Sequence, residues 1–292
     1  MLTEAQKTFY RDQGFLLVPG FRSPAAVAGL IARARQIVEE FEPSGAGSVF
    51  TTRDQARTAD AYFLASADRI SCFFEEQAFG PDGRLRQPKA ESINKIGHAL
   101  HDLDPVFDRF SRGADMSAVA AGLGLAQPQA WQSMVIFKPP RIGGEVGWHQ
   151  DASFLITEPV SVVTFWFALE EATLENGCLW VEPGGHRRRL RQRFVREGDA
   201  VRMVTLDSTP WPDASSAVPL EVAAGTLVCF HGRLPHFSGP NRSERSRHAY
   251  TLHVTDGACR WSELNWLRRA PQLPVRGLAR EEPVTGTAAP AA

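Results

Sequence analysis

From residue 129 onward the chain is a succession of short runs, QAWQSMVIFK, VSVVTFWFALE, GCLWVEP, VPLEV, GTLVCFH and RHAYTLHV, separated by Gly, Pro and Asn. Their Val, Phe, Trp and Thr content suits extended chain, where branched and aromatic side chains pack well on a pleated surface. Many short strands divided by turn residues are the pattern of an antiparallel sandwich or jelly roll. The expected fold is therefore α+β: a double-stranded β-helix of the jelly-roll, cupin-like kind over residues 126–270, with N-terminal and flanking helices.

The first 125 residues read differently. Thr3 starts a helix over residues 3–12, and GFLLVPGF follows as a strand closed by Pro19 and Gly20. Ser23 and Pro24 make an N-cap and first-turn pair, and Val27, Leu30, Ile31, Ala34, Ile37, Val38 and Phe41 recur at helical spacing, so a second helix should run to about Phe41. Residues 43–92 mix Gly, Pro and charges around Phe73, Phe74 and Phe79, and read as a covering loop or lid. DPVFDRF and DMSAVAAGLG each open on an aspartate at a cap position and predict two short helices within residues 104–123.

Composition removes several classes of function. Of the 292 residues, 43% are hydrophobic and 22% charged, which is enough for a full-sized core and argues against disorder or coiled coil. A single domain over residues 1–282 is expected, with 283–292 as a flexible tail of small and polar residues. The formal net charge of -1 offers no overall attraction to nucleic acid or an anionic membrane, so neither is expected as a partner. Cys72, Cys178, Cys229 and Cys259 form no Cys-x-x-Cys pair, and no apolar run reaches membrane-spanning length. Those features fit a cytoplasmic protein acting on a small molecule.

The chemistry concentrates in GWHQDASF, where His149 and Asp151 flank Gln150 after the Gly143-Gly144 turn. Positions i and i+2 of extended chain point the same way, so both side chains can address one metal. A second histidine would complete a face of two imidazoles and one carboxylate that leaves coordination positions open, the arrangement of non-haem iron oxygenases. His231, His236, His248 and His253 are the C-terminal candidates, and His236 is selected because Ser238 and Arg247 follow it. An arginine there can grip the far carboxylate of a dicarboxylate with two parallel hydrogen bonds. Taken singly, His236 would be a turn residue and Arg247 a solvated charge; the order His-x-Asp, His, Arg argues otherwise.

The segments QKTFYRDQGFLLVPGF, ESINKIGHALHDLDPVF, QSMVIFKPP, GGEVGWHQDASFLITEP, ATLENGCLWVEPGGH and HGRLPHFSGPNRSERSRHAYTLH together resemble the phytanoyl-CoA dioxygenase family of iron(II)- and 2-oxoglutarate-dependent oxygenases. The resemblance implies that Fe(II) is held by His149, Asp151 and His236, and that 2-oxoglutarate lies among Lys95, Met134, Trp166, Ser238 and Arg247. It implies hydroxylation of a C–H bond of a small-molecule substrate with O2, releasing succinate and CO2, an acyl-CoA-like compound being one candidate. The family name does not itself identify the substrate. A halogenase would need a small residue in place of Asp151; the alternative is a metal- or ligand-binding jelly roll without turnover. One departure from the family is Gly185, where relatives tend to carry serine in Pro-Gly-Ser-His, removing a hydroxyl near the pocket mouth. The run RRRLRQR, Arg187 to Arg193, reads either as a docking patch for an anionic substrate or as a solvated loop.

Overall fold

The computed structural model describes residues 1–43, 49 and 61–280. The expected tail at 283–292 and the part of the lid within 44–60, Val49 apart, lie outside the described residues. Helix α1 (Glu4–Gln13) begins at Thr3, whose side chain accepts from the Gln6 amide while Gln6 reaches back to the Thr3 amide. This reciprocal cap satisfies two amides that would otherwise lack partners. Gly14 ends the helix at φ 82°, a left-handed conformation that costs glycine little, and turns the chain into β1 (Phe15–Val18). Helix α2 (Pro24–Glu40) starts at the Ser23 cap and stops before Phe41, as its periodicity predicts.

Two sheets form the β core. The larger has eight strands, seven of them in the order β1, β12 (Leu227–His231), β7 (Val163–Ala168), β14 (Ala249–Asp256), β4 (Pro128–Ile136), β3 (Ile93–His98), β2 (Ile70–Phe74), while β16 (Arg276–Gly277) adds to β4. The smaller has four strands, ordered β11 (Val218–Leu220), β8 (Leu179–Val181), β13 (His236–Ser238), β5 (Val146–His149). Two hairpin-like pairs complete the set, β9 (Gln192–Glu197) with β10 (Ala200–Thr205), and β6 (Thr157–Glu158) with β15 (Arg260–Trp261). All ladders within these sheets are antiparallel.

Alternation along the strands divides the core. Phe165, Phe167, Cys229, Tyr250, Leu252 and Val135 leave the larger sheet on its outer face and meet Leu30, Val38, Phe107 and Phe110 of the helices. Trp166, Ala168, Val228, Phe230 and Ala249 leave its inner face and pack on Leu179, Val181 and Leu220 of the smaller sheet. A period of two against a two-layer sandwich produces this separation. Three strands, β1, β2 and β3, come from the N-terminal segment that the sequence presents as mainly helical, so that segment is woven into the β core.

Between residues 61 and 92 the chain has regular structure where none could be assigned from sequence: helix α3 (Ala61–Ala65) and strand β2. Helix α4 (Leu100–Leu103) precedes the two short helices that the sequence predicts, α5 (Pro105–Ser111) and α6 (Ala114–Gly122). Asp104 caps α5, its carboxylate accepting from Val106 and Phe107 amides. Asp115 does not cap α6: the cap residue is Gly113, and Asp115 sits in the first turn paired with Arg22. That pairing across elements displaces the local capping signal.

Candidate metal and cosubstrate site

His149 ends β5, His236 begins β13, and the two residues are direct cross-strand partners. Gln150 is extended, at φ -129° and ψ 128°, so it carries the chain two residues on to Asp151 at the head of a 3-10 turn, Asp151–Ser153. Ligand atoms of His149, Asp151 and His236 all lie within 4.8 Å of one another. Asp151 Oδ1 is 3.6 Å from His149 Nε2 and 3.7 Å from His236 Nε2. Its other oxygen, Oδ2, accepts from the Thr164 hydroxyl and lies 3.4 Å from His253 Nε2. The carboxylate thus presents one oxygen toward the two imidazoles while the larger sheet holds the second.

Both imidazoles are oriented by their own backbone. His149 Nδ1 is 2.8 Å from the Gly147 carbonyl, and His236 Nδ1 is 3.0 Å from the Leu234 carbonyl. A carbonyl only accepts, so each ring carries a proton on Nδ1 and turns its Nε2 toward Asp151. Burial, and then His149, pull His236 down to about 4, so it stays neutral at physiological pH. Burial alone would raise the Asp151 carboxyl, but His236 and His253 outweigh it and hold the group well below the ordinary carboxylate range. Two imidazoles and one carboxylate are the donor set that suits a divalent ion of intermediate hardness, so iron(II) fits these residues.

Beside this trio lies a cavity of about 290 Å³ lined in part by Lys95, Met134, His149 and Asp151. Lys95 is buried, its Nζ 5.3 and 5.2 Å from the ring centres of Phe63 and Phe73, and burial pulls its pKa well below the usual value. His236, Trp166, Ser238 and Arg247 are not among the lining residues. Arg247 is 1% exposed; its guanidinium carbon is 5.4 Å from the Trp166 ring centre, its Nε donates to the Gly177 carbonyl at 3.2 Å, and Nη1 has no hydrogen-bond partner among the described residues. Burial brings Arg247 down to about 10, leaving it charged at neutral pH.

Lys138, which the sequence gives no reason to select, joins the two groups. It lines the cavity, and its Nζ donates to Ser238 Oγ at 2.9 Å and to the Gly144 carbonyl at 2.8 Å. Burial and then the charge of Arg247 hold its pKa well below the usual value. The charged Arg247, with one guanidinium nitrogen unpaired among the described residues, favours an anion, and Lys138 Nζ and Ser238 Oγ stand beside it as polar partners. A carboxylate of 2-oxoglutarate fits that environment. The orphaned Nη1 is the specific observation, because buried polar atoms are almost always paired.

Thr164 and His253 are further site residues that the sequence does not mark. His253 appears among the candidate histidines, but only the register of β14 on β7, which sets His253 opposite Thr164, reveals that both face Asp151. His231, the rejected candidate nearest in sequence, ends β12 with its ring 5.3 Å from His186 and lies outside the trio. The arginine run is neither a docking patch throughout nor simply solvated. Arg191 is buried, 4.7 Å from the Trp211 ring centre, and donates to the carbonyls of Thr209 and Pro210; Arg187 pairs with Asp12 and Arg188 with Glu182. Gly185 is buried beside Glu182 and Pro235, where an added Cβ would come within 2.4 Å of Glu182 Oε2, and it is not part of the cavity wall.

Comparison with known proteins agrees with the geometry. The family model for phytanoyl-CoA dioxygenase (PhyH) matches residues 10–249. A phytanoyl-CoA dioxygenase of Arabidopsis thaliana is 46% identical over 271 residues, covering 92% of this chain and 94% of its own length. Phytanoyl-CoA dioxygenase domain-containing protein 1 of Bos taurus is 43% identical over 282 residues, covering 94% of this chain and 97% of its own. Among solved structures, the epimerase SnoN in complex with Fe3+, alpha ketoglutarate and nogalamycin RO has a similar fold, with a TM-score of 0.62 at 18% identity over 97% of this chain and 95% of that one. The chain belongs to the phytanoyl-CoA dioxygenase family, whose members are iron- and 2-oxoglutarate-dependent oxygenases.

Proposed function

We propose that this chain is an Fe(II)- and 2-oxoglutarate-dependent dioxygenase that hydroxylates a C–H bond of a small molecule, with iron on His149, Asp151 and His236. The observation that carries the reading is the division of the Asp151 carboxylate, Oδ1 toward the two Nε2 atoms and Oδ2 held from the opposite sheet. Iron with 2-oxoglutarate, held there, would supply the oxidising chemistry, with succinate and CO2 as co-products and one oxygen atom of O2 passed to the substrate. Arg247, with Ser238 and Lys138, would hold the far carboxylate of the cosubstrate, and Trp166 beneath the guanidinium keeps water from that pair. Lys95 and Met134 would contribute from the cavity wall. SnoN, bound to Fe3+ and alpha ketoglutarate, provides a precedent for this cofactor pair on the same fold.

No helix among the described residues is long and apolar enough to cross a membrane. With four free cysteines, this supports a cytoplasmic enzyme acting on diffusible substrates. Anaerobic addition of Fe(II) and then 2-oxoglutarate should produce the visible metal-to-ligand charge-transfer band of a chelated 2-oxo acid, and admission of oxygen should release succinate. The band without succinate under any condition would identify a binding module without turnover; absence of the band would overturn the proposal.

A further inference from the structure

The cavity of about 290 Å³ changes character along β4. Alternation turns Gln132, Met134 and Ile136 into it, level with His253, Thr251 and Ala249 of β14. Lys95 is level with Ile136, and Lys138 follows two residues beyond it, so both lysines stem from the end near Arg247, where the proposed function puts the far carboxylate of the cosubstrate. Gln132 lies four residues back, about 13 Å at the usual rise of a strand. It is opposite His253, whose Nε2 is 3.4 Å from Asp151 Oδ2, so Gln132 belongs to the end near the metal residues.

A second amide enters from the β9–β10 hairpin. Gln192 and Phe194 line the cavity from β9, and Met203 lines it from the position opposite Phe194 on β10. The hairpin is fixed beside the metal residues, because the Arg191 amide donates to Gln150 Oε1 at 2.9 Å. Neither the Gln132 nor the Gln192 side chain has a hydrogen-bond partner among the described residues, although Gln132 is only 6% exposed. Buried amides are normally paired, so two that open into one cavity call for an occupant. Flat apolar groups surround them: Phe63 and Trp266 stack with ring centres 4.4 Å apart, and Phe154 lies 5.8 Å from Phe194.

We infer that Gln132 and Gln192 recognise a planar lactam, a flat ring with an N–H next to a carbonyl, on the substrate to be oxidised. This inference rests on the oxygenase reading and specifies its substrate class. A side-chain amide carries a donor and an acceptor on adjacent atoms, so it matches a ring edge that offers the same pair, as glutamine matches adenine. Unlike His98 and His253, which line the same cavity, an amide keeps its donors and acceptor at any pH near neutral. The ring faces meet Phe63, Phe154, Phe194 and Trp266 while the edge meets the amides. A carboxylate has no donor for a glutamine carbonyl, but it would be drawn to Lys95, whose Nζ reaches to 5.3 Å from the Phe63 ring centre. An anionic ring is therefore the direct competitor, and measurement separates the two.

The test uses 2-quinolinone, 1-methyl-2-quinolinone and naphthalene-2-carboxylate as probes. Each is titrated calorimetrically into the full chain, first metal-free and then with Zn(II) and 2-oxoglutarate. 2-Quinolinone should bind about five- to a hundredfold more tightly than its N-methyl derivative, the range expected when a buried polar atom gains or lacks its partner. Gln132→Leu and Gln192→Leu should each cut that ratio several-fold while the N-methyl compound binds as before. The two substitutions lie on different elements, so misfolding of one variant leaves the other to decide. In nitrogen-15 spectra, the side-chain amide signals that vanish in these variants should move with 2-quinolinone and stay in place with the N-methyl compound. Equal binding of the two quinolinones, a ratio unchanged in both variants, or tighter binding of the carboxylate would overturn the inference, the last by assigning this end of the cavity to Lys95. Failure of the charge-transfer band with the lactam preference intact would count against the oxygenase reading alone.

Discussion

His149 and His236 face one another directly across β5 and β13, their ring centres 4.1 Å apart. Each is already turned by a backbone carbonyl, so replacing either removes a preset donor. His149→Ala, Asp151→Ala and His236→Ala are each expected to abolish iron-dependent decarboxylation of 2-oxoglutarate. His231→Ala should retain substantial activity. Succinate assays on the four proteins decide this, and an active His236 variant beside an inactive His231 variant would move the ligand to the end of β12.

Thr164 makes a finer point, since its hydroxyl touches the carboxylate oxygen turned away from His149 and His236, the proposed ligands. Partners of this kind typically change metal affinity by about 10- to 100-fold when removed. Thr164→Val, nearly the same shape, should weaken Fe(II) binding by that amount while the thermal midpoint changes little. Equal Fe(II) affinity in a competition titration would show that His253 alone orients Asp151.

For Arg247 the expected loss lies in the cosubstrate rather than the metal. Truncating one member of a buried ion pair typically costs about 3 to 5 kcal/mol, which is two to four orders of magnitude in affinity. Arg247→Ala should therefore raise the apparent constant for 2-oxoglutarate by roughly that factor and leave iron affinity nearly unchanged. Arg247→Lys should be impaired too, because an ammonium lacks the planar fork. Anaerobic titration following the charge-transfer band measures both; unchanged affinity in the alanine variant would shift the clamp to Lys138 or Lys95.

Stability should depend on pH through His231. Burial, followed by the charge of Arg233, pulls its imidazole from 6.5 down to about 4. Below pH 6.5 the unfolded chain takes up a proton that the folded chain refuses until about 4, so stability falls as pH drops through this window and is unaffected above it. The Arg233 amide donates to His231 Nδ1 at 3.0 Å, a bond that glutamine can accept without titrating. His231→Gln should thus remove about 2 kcal/mol of the acid destabilisation between pH 7 and 5. Urea midpoints at those two pH values provide the measurement; parallel shifts in both proteins would assign the acid limb to another group.

Local signals are legible in the sequence alone. Thr3, Ser23 and Asp104 cap the helices they mark, because capping depends on residues only two or three positions away. The pair His149 and Asp151 is readable for the same reason, as is the jelly-roll class from the punctuated strands. Lys138, Thr164 and His253 are not, since their common direction depends on which strands pair and in what register. Strand β2 is hidden because its partner, β3, fixes it from about twenty residues further along the chain. Asp115 satisfies a local capping rule while its carboxylate has a distant partner in Arg22, and the distant partner prevails.

The placement of β1 has a consequence for handling the protein as well as for its chemistry. Phe15 to Val18 pair with Leu227 to Phe230, and the turn before them accepts from the His231 amide at 2.9 Å through Gly14. Gln13 accepts from the Gly184 amide at 2.8 Å, and His186 Nε2 contacts the Arg11 carbonyl at 3.1 Å. Deleting residues 1–20 would uncover four consecutive apolar residues of β12 along an open row of amides and carbonyls, a ready template for another molecule. The truncated chain should self-associate in light scattering at concentrations where the full chain does not. In this protein the first strand is the stopper that keeps a catalytic sheet from growing into its neighbour.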